Sequence, residues 1–245
     1  MTRVGVPPQE FHDALAAQHI ELEPGDQEQL ALHLDALLEA NERFNLTGIR
    51  DPAQAWVRHA ADSLSLVPFL VSASAATVVD LGSGGGFPGI PLAIALPAVQ
   101  VTLVESVGKK ARFLEEVVAL LHLSNVTVRL ARAEELADFR LGLRESFDVA
   151  VCRAVGGLAT LIELALPLVK VNGLLLAMKG EKTPEELKQA VRALKELSGE
   201  VETTLRTPTG TIVAIRKMAK TVRIYPRDQG LPARKPLGAT DLSSD

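Results

Sequence analysis

Cysteine occurs once in the 245 residues, at Cys152, so no intrachain disulfide can form and the oxidising compartments that favour such bridges are disfavoured. Tryptophan and tyrosine also occur once each, and aromatic residues make up only 4% of the chain, which leaves aliphatic side chains to build the core. No apolar run is long enough to span a bilayer: the longest, around Ile90 to Val104, is interrupted by Pro91, Pro97 and Gln100. The first ten residues lack the basic-then-apolar pattern of a secretion signal, so a cytoplasmic protein with no membrane role is expected. Metal-ligand spacing is missing as well. His12, His19, His33 and His122 are scattered, and His59 with Asp62, one helical turn apart, reads as a hydrogen-bonded contact rather than a metal site. No feature points to a protein partner, and a monomer is expected.

What is present is an ordinary globular composition, 47% hydrophobic and 23% charged, long enough for one doubly wound domain with an appendage. The net charge of −4 hides an uneven distribution. Met1 to Asp51 carries ten acids against Arg3, Arg43 and Arg50, a local charge of −7. Thr203 to Gly238 carries Arg206, Arg216, Lys217, Lys220, Arg223, Arg227, Arg234 and Lys235 against Asp228 alone, a local charge of +7. That segment is either a solubilising tail or a phosphate-binding surface on an otherwise acidic protein.

The most informative stretch is Asp80-Leu81-Gly82-Ser83-Gly84-Gly85-Gly86-Phe87-Pro88-Gly89, preceded by the apolar run Ala75 to Val79 and followed by helical spacing from Ile90 to Leu96. It reads as strand, glycine loop, helix. Such a loop lets a ligand approach the backbone, and the helix behind it offers unpaired N–H groups. Gly84-x-Gly86-x-x-Gly89 alone also fits a dinucleotide site. Asp80 decides between cofactors, because a carboxylate before the loop repels a pyrophosphate, whereas S-adenosylmethionine carries a cationic sulfonium and ammonium and no phosphate. The order Asp-Leu-Gly-x-Gly-x-Gly resembles motif I of the class I methyltransferases.

Leucines at helical spacing from Pro8 to Ala40 predict two amphipathic helices parted by Glu23-Pro24-Gly25-Asp26. A turn at Asn45-Leu46-Thr47-Gly48 and a helical segment from Pro52 to Leu70 complete an N-terminal helical cap, residues 1–72. From Thr77 short β-branched runs alternate with helices. Strands are predicted at Thr77 to Leu81, Val101 to Glu105, Val126 to Leu130, Phe147 to Cys152 and Leu174 to Met178. Helices are predicted at Pro88 to Leu96, Gly108 to Leu121, Ala133 to Ala137, Leu158 to Val169 and Pro184 to Leu197. Two late runs, Glu200 to Leu205 and Thr211 to Lys217, joined by Thr207-Pro208-Thr209-Gly210, are expected to pair antiparallel at one edge. The expected fold is therefore α/β, a class I methyltransferase Rossmann-like fold: a mostly parallel seven-stranded sheet with an antiparallel edge over residues 73–238. Residues 239–245 are expected to be a disordered tail.

Ligands of open α/β sheets bind beyond the carboxyl ends of the strands. Glu105 closes the second strand, 25 residues after Asp80, where an acid can accept hydrogen bonds from ribose hydroxyls. Ala133 and Glu134 follow the third and could frame an adenine. Cys152-Arg153-Ala154 closes the fourth strand, where neither the Asn/Asp-Pro-Pro-aromatic pattern of exocyclic-amine methylation nor the Pro-Cys nucleophile of C5-pyrimidine methylation is found. Cys152 then reads as a buried cysteine rather than a nucleophile. Arg153 and Lys179 are the candidates for the acceptor side, and catalytic roles stay unassigned. Guanine N7 carries an in-plane lone pair, so its methylation calls for positioning rather than a base. The RNA-contact candidates are Lys109, Lys110, Arg112, Arg216, Lys217, Arg223, Arg227, Arg234 and Lys235.

Together, Asn45-Leu46-Thr47, Arg58-His59-x-x-Asp62-Ser63, the Asp80–Gly89 loop with its Phe87-Pro88-Gly89 end, Lys109-Lys110-x-x-Phe113-Leu114, Ala133-Glu134, Arg153-Ala154, Lys179-Gly180 and Tyr225-Pro226-Arg227 resemble the bacterial small-subunit rRNA methyltransferase G family (RsmG, also GidB) from about Phe11 to Leu237. The resemblance implies S-adenosylmethionine-dependent methylation of N7 of guanine 527, in the 530 loop of 16S rRNA, as naked rRNA or within the small ribosomal subunit. It places cofactor contacts at Gly82, Phe87, Ala133, Glu134 and Arg153, beside Asp80, Gly84 and Glu105. Two other readings stay open. One is a class I methyltransferase with a different RNA or small-molecule acceptor. The other is a non-enzymatic adenosine-nucleotide-binding protein on the same fold.

Overall fold

The computed structural model of the chain describes residues 4–207 and 209–238. The expected tail at 239–245, together with Arg3 and Pro208, lies outside them. Seven strands form one sheet in the order β3-β2-β1-β4-β5-β7-β6: β1 Thr77–Leu81, β2 Gln100–Glu105, β3 Val126–Leu130, β4 Phe147–Arg153, β5 Val169–Lys179, β6 Gly199–Thr207 and β7 Gly210–Lys217. Pairing is parallel between β1 and β2, β2 and β3, and β4 and β5, and antiparallel between β5 and β7. The expected antiparallel edge is present, with the last strand inside: β7 returns beside β5, and β6, its neighbour, lies outermost.

The chain divides into two compact units. The first holds residues 4–130, with Thr207 and Thr209. Helices Gln9–Ala16 and Asp26–Arg43 bury Phe11, Leu15, Leu30, Leu34 and Leu37, the leucine stripe expected of amphipathic helices. The predicted helix from Pro52 is interrupted in its hydrogen-bond register. Asp51 accepts the Gln54 N–H to start it, and Trp56–Ala61 then takes π-helical spacing before Asp62–Leu64 and Val67–Ser72 continue the segment. Strand β1 is buried along nearly its whole length, as a central parallel strand must be.

The second unit holds residues 131–206 and 210–238. Helix Leu158–Ala165 ends four residues before the predicted Val169, because Pro167 follows and Val169 already belongs to β5. Strand β5 therefore starts earlier than its apolar run suggests. Its pairing with β4 jumps from Phe147↔Val169 to Val149↔Leu174, so Lys170 to Gly173 form a bulge that periodicity did not register. Gly173 is required there: a Cβ would lie 2.5 Å from the Asp148 carbonyl oxygen. Helix Pro184–Leu197 is realised as Thr183–Gln189 and Val191–Glu196 with Ala190 between them.

Candidate functional site

In the first unit, the loop after β1 carries two kinds of glycine. Gly85, Gly86 and Gly89 pack against the protein itself. A Cβ on Gly85 would stand 2.6 Å from Leu37 Cδ1, one on Gly86 2.5 Å from Ile90 Cδ1 and 2.9 Å from His33 Nε2, and one on Gly89 2.3 Å from Leu103 Cδ2. Gly84, at φ +54°, is different: a Cβ there would meet only the Gly82 carbonyl oxygen, at 3.7 Å. Gly84 is thus the position where the loop is open to a ligand, and the other three explain why the motif is so rich in glycine.

Two acids set the loop's shape. Asp80 is fully buried and its Oδ2 accepts the Gly89 N–H at 3.0 Å, the first donor of helix Gly89–Ala95. Glu105, 5% exposed at the end of β2, accepts from Gly84 N at 3.0 Å and from Val107 N at 2.8 Å. One backbone donor on each oxygen leaves a second lone pair on each, so the carboxylate keeps capacity for hydroxyl donors. Gly82, at φ +70°, donates its N–H to the Val104 carbonyl at 2.9 Å. Phe87 is buried and stacks between two histidine rings.

In the second unit, Ala133 and Glu134 open the short helix Ala133–Leu136, both half-buried, and Glu134 Oε1 accepts the Gly230 N–H at 2.8 Å. Arg153 ends β4 half-buried, in register with Met178. Cys152 beside it is fully buried, as a core cysteine is. Lys179 does not stand clear as an acceptor contact must: its ammonium donates to the Gly156 carbonyl at 2.7 Å and pairs with Glu186 at 2.7 Å, with the side chain 6% exposed. The same Glu186 oxygen accepts from Leu158 N at 2.8 Å. Lys179 therefore fastens the loop after β4 to the start of helix Leu158–Ala165.

The basic segment needs a larger correction. Lys217, expected from the sequence to be an RNA contact, is 0% exposed; its ammonium donates to Glu145 Oε1 and the carbonyls of Leu166 and Val169 at 2.7–2.8 Å. Arg216 is engaged by Glu202 and the Asn172 carbonyl, and Arg227 grips the fully buried Glu163 through Nε and Nη2, one edge of its guanidinium on both carboxylate oxygens. These three cations hold structure. Lys220, Arg223, Arg234 and Lys235 are exposed. The backbone that presents them, irregular except for the short helix Leu231–Arg234, is tied down by Arg144, which donates to the carbonyls of Thr221, Val222 and Tyr225, and by Thr160, which donates to the Pro232 carbonyl. In the first unit, Lys109 lies 5.4 Å from the Phe44 ring centre and is exposed with Arg112, while Lys110 is half-buried.

The family model described as "rRNA small subunit methyltransferase G" matches residues 26–216. A curated ribosomal RNA small subunit methyltransferase G of Sorangium cellulosum is 45% identical over 90% of this chain and 92% of its own. One of the same name from Limosilactobacillus reuteri is 40% identical over 94% of this chain and 99% of its own. Among solved structures, a Klebsiella pneumoniae protein assigned as an O-methyltransferase superposes with a TM-score of 0.58 at 20% identity, over 85% of this chain and 96% of that one, which fixes the fold as that of the class I methyltransferases.

Proposed function

The chain belongs to the rRNA small subunit methyltransferase G family, and from that premise we propose that it methylates N7 of a single guanine, guanine 527 in the 530 loop of 16S rRNA. It is an S-adenosylmethionine-dependent rRNA small-subunit methyltransferase. The observation that carries the cofactor reading is the buried Glu105 carboxylate beside the open face of Gly84. An acid so placed can accept hydrogen bonds from the hydroxyls of a ribose. When bound, S-adenosylmethionine supplies a methyl group on a cationic sulfur. Gly82, Gly84 and Glu105 would hold it from the first unit's loops, and Phe87, Ala133, Glu134 and Arg153 are the further contacts implied by the family pattern. Asp80 shapes the loop from beneath.

Guanine N7 needs no base, so the chain's task is to position the ring and exclude water. Arg153 is the group at the end of β4 suited to orient the acceptor, with Lys179 fixing the loop that follows. A protein acting on rRNA as a monomer in the cytoplasm fits this reading, and among the described residues no helix is long and apolar enough to cross a membrane. Labelled methyl transfer to small ribosomal subunits lacking the modification, followed by mass mapping, tests the proposal. The label is expected on N7 of one guanine, and label at any other atom or on a small molecule would replace it by the alternative acceptors.

RNA affinity is assigned to the outward cations of the C-terminal segment. Changing Lys220 and Arg223 together to alanine is expected to flatten the log–log salt dependence of RNA binding by about 1.5 to 2 units, close to one for each phosphate no longer neutralised. Affinity for S-adenosylhomocysteine should not change. An unaltered salt slope would move the RNA surface to Lys109, Lys110 and Arg112. Glu105→Ala, by contrast, should weaken S-adenosylhomocysteine binding by about 1.5 to 3 kcal/mol, the usual worth of hydrogen bonds to a charged group, as read by calorimetric titration.

A further inference from the structure

We propose that His33 and His59 are positioning residues that clamp Phe87 from both faces and so hold the glycine loop in its cofactor-binding shape, which makes the N-terminal helices part of the cofactor site. The inference rests on the methyl-donor reading and adds to it two residues outside the loop and the strand ends. His33 projects from helix Asp26–Arg43 and is fully buried; His59 projects from the π-helical turn Trp56–Ala61 and is 6% exposed. The Phe87 ring stacks on His33 with centroids 4.3 Å apart and planes 12° from parallel, and on His59 at 4.7 Å and 23°. Three rings form one pile, with the loop's side chain in the middle.

Each imidazole is fixed by a second contact. His33 Nε2 lies 2.8 Å from the Gly85 carbonyl oxygen, which can only accept, so this nitrogen carries the proton and donates. His33 thereby grips the loop twice, through its ring face and through its backbone. His59 Nε2 lies 2.9 Å from Thr47 Oγ1, and that hydroxyl also accepts the Ile49 N–H at 3.0 Å. The turn carrying Thr47 is itself held by Asn41, whose Oδ1 accepts from Leu46 N at 2.8 Å and Thr47 N at 3.0 Å. The Asn-Leu-Thr and Arg-His-x-x-Asp-Ser motifs thus converge on Phe87.

A leucine could fill the volume at either position. It could not bond the Gly85 carbonyl, nor hold a flat ring in one plane. The clamp grips the face of the loop where Gly85 and Gly86 have no room for a Cβ, and Gly84, whose N–H meets Glu105, lies on the open face. Releasing the clamped face lets Gly84 and its contact with Glu105 drift.

The test measures S-adenosylhomocysteine binding by calorimetry, steady-state methyl transfer and thermal unfolding on the full chain, for His33→Leu, His33→Gln and His59→Phe. His33→Leu removes both grips. It is expected to raise the Kd for S-adenosylhomocysteine and the KM for S-adenosylmethionine by about tenfold each, with kcat at saturation within about twofold. His33→Gln, which keeps a donor for Gly85, and His59→Phe, which keeps a ring on Phe87, should each recover most of that loss. A role confined to stability would lower the melting temperature and the active fraction while leaving Kd and KM alone, and that pattern would overturn the clamp. So would unchanged affinity in all three variants. Should His33→Leu fail to fold, His59→Leu takes its place: it removes the other stacked ring and the bond to Thr47, a Kd raised several-fold and restored by His59→Phe is expected, and a wild-type Kd for His59→Leu would overturn the clamp. A wild-type protein that binds no S-adenosylhomocysteine would instead overturn the methyl-donor reading, and the clamp's ligand with it.

Discussion

Replacing Lys217 by alanine is expected to lower the stability of the protein by about 3–5 kcal/mol, the usual cost of removing one partner from a buried ion pair. The ammonium sits in the second unit with no exposure and spends its three protons on Glu145, Leu166 and Val169. Alanine leaves two buried carbonyls without that donor. Glu145 keeps the Thr221 N–H, at 2.9 Å, but loses its counter-charge. For a chain of this length a loss of that size corresponds to a melting temperature lower by about 10 °C. Pairing Lys217→Met with Glu145→Gln should recover part of it, because the neutral pair removes the uncompensated carboxylate.

Acid should weaken the same place. Burial raises the Glu145 pKa, but the hydrogen bonds from Lys217 and Thr221 outweigh it and hold the carboxyl below its ordinary range. A folded pKa below the unfolded one contributes stability that is present above the unfolded value and is lost as pH falls through the folded one. Wild type should therefore lose stability on acidification more steeply than the neutralised double variant. If Lys217→Ala melts within about 2 °C of wild type, a shift worth less than about 1 kcal/mol, the buried pair is not a main support of this unit.

The second large effect separates two glycines of one loop. Gly86→Ala should cost about 3–5 kcal/mol and abolish measurable cofactor binding, from positive-φ strain of roughly 1–3 kcal/mol added to overpacking of similar size. At φ +92° the backbone is strained for any L side chain, and the new methyl would sit 2.5 Å from Ile90 Cδ1 and 2.9 Å from His33 Nε2, so the buried Ile90 and the stacked His33 must both shift to admit it. Gly84→Ala should cost only about 1 kcal/mol, the ordinary penalty of a left-handed residue, because φ +54° is accessible and no side chain lies nearby. Yet Gly84→Ala should weaken S-adenosylhomocysteine binding at least about tenfold, since the methyl enters the face left for the ligand. Thermal melts and titrations of the two proteins check both halves. Equal losses of stability, or normal binding by Gly84→Ala, would mean that the open face is not where the cofactor lies.

Much of the architecture is legible in the order of residues. Strands β1 and β3 fall at the predicted residues and β2, β6 and β7 within one or two, because a β-branched run between turn-forming residues is a local signal. The β5 bulge is not legible, since Lys170 to Gly173 follow neither the strand period nor a turn pattern and are held by pairing with β4. The carboxyl ends of the strands carry Asp80, Glu105 and Arg153, with Glu134 just past β3, and the strand-end rule singles out such positions as candidates in any parallel sheet.

The sequence by itself determined the fold class, the glycine loop and its acids, and the family, because each is written in neighbouring residues. Tertiary structure alone decided which charges face outward and what grips the loop. Lys217 looks like any basic residue closing a strand until Glu145, 72 positions away, is brought to its ammonium. His33 is one histidine on a leucine-rich helix, and its partner, Gly85, is 52 positions distant. Local periodicity tells which face of an element a residue occupies; it carries no record of the group on the facing element, and for buried charges and stacked rings that group settles the role.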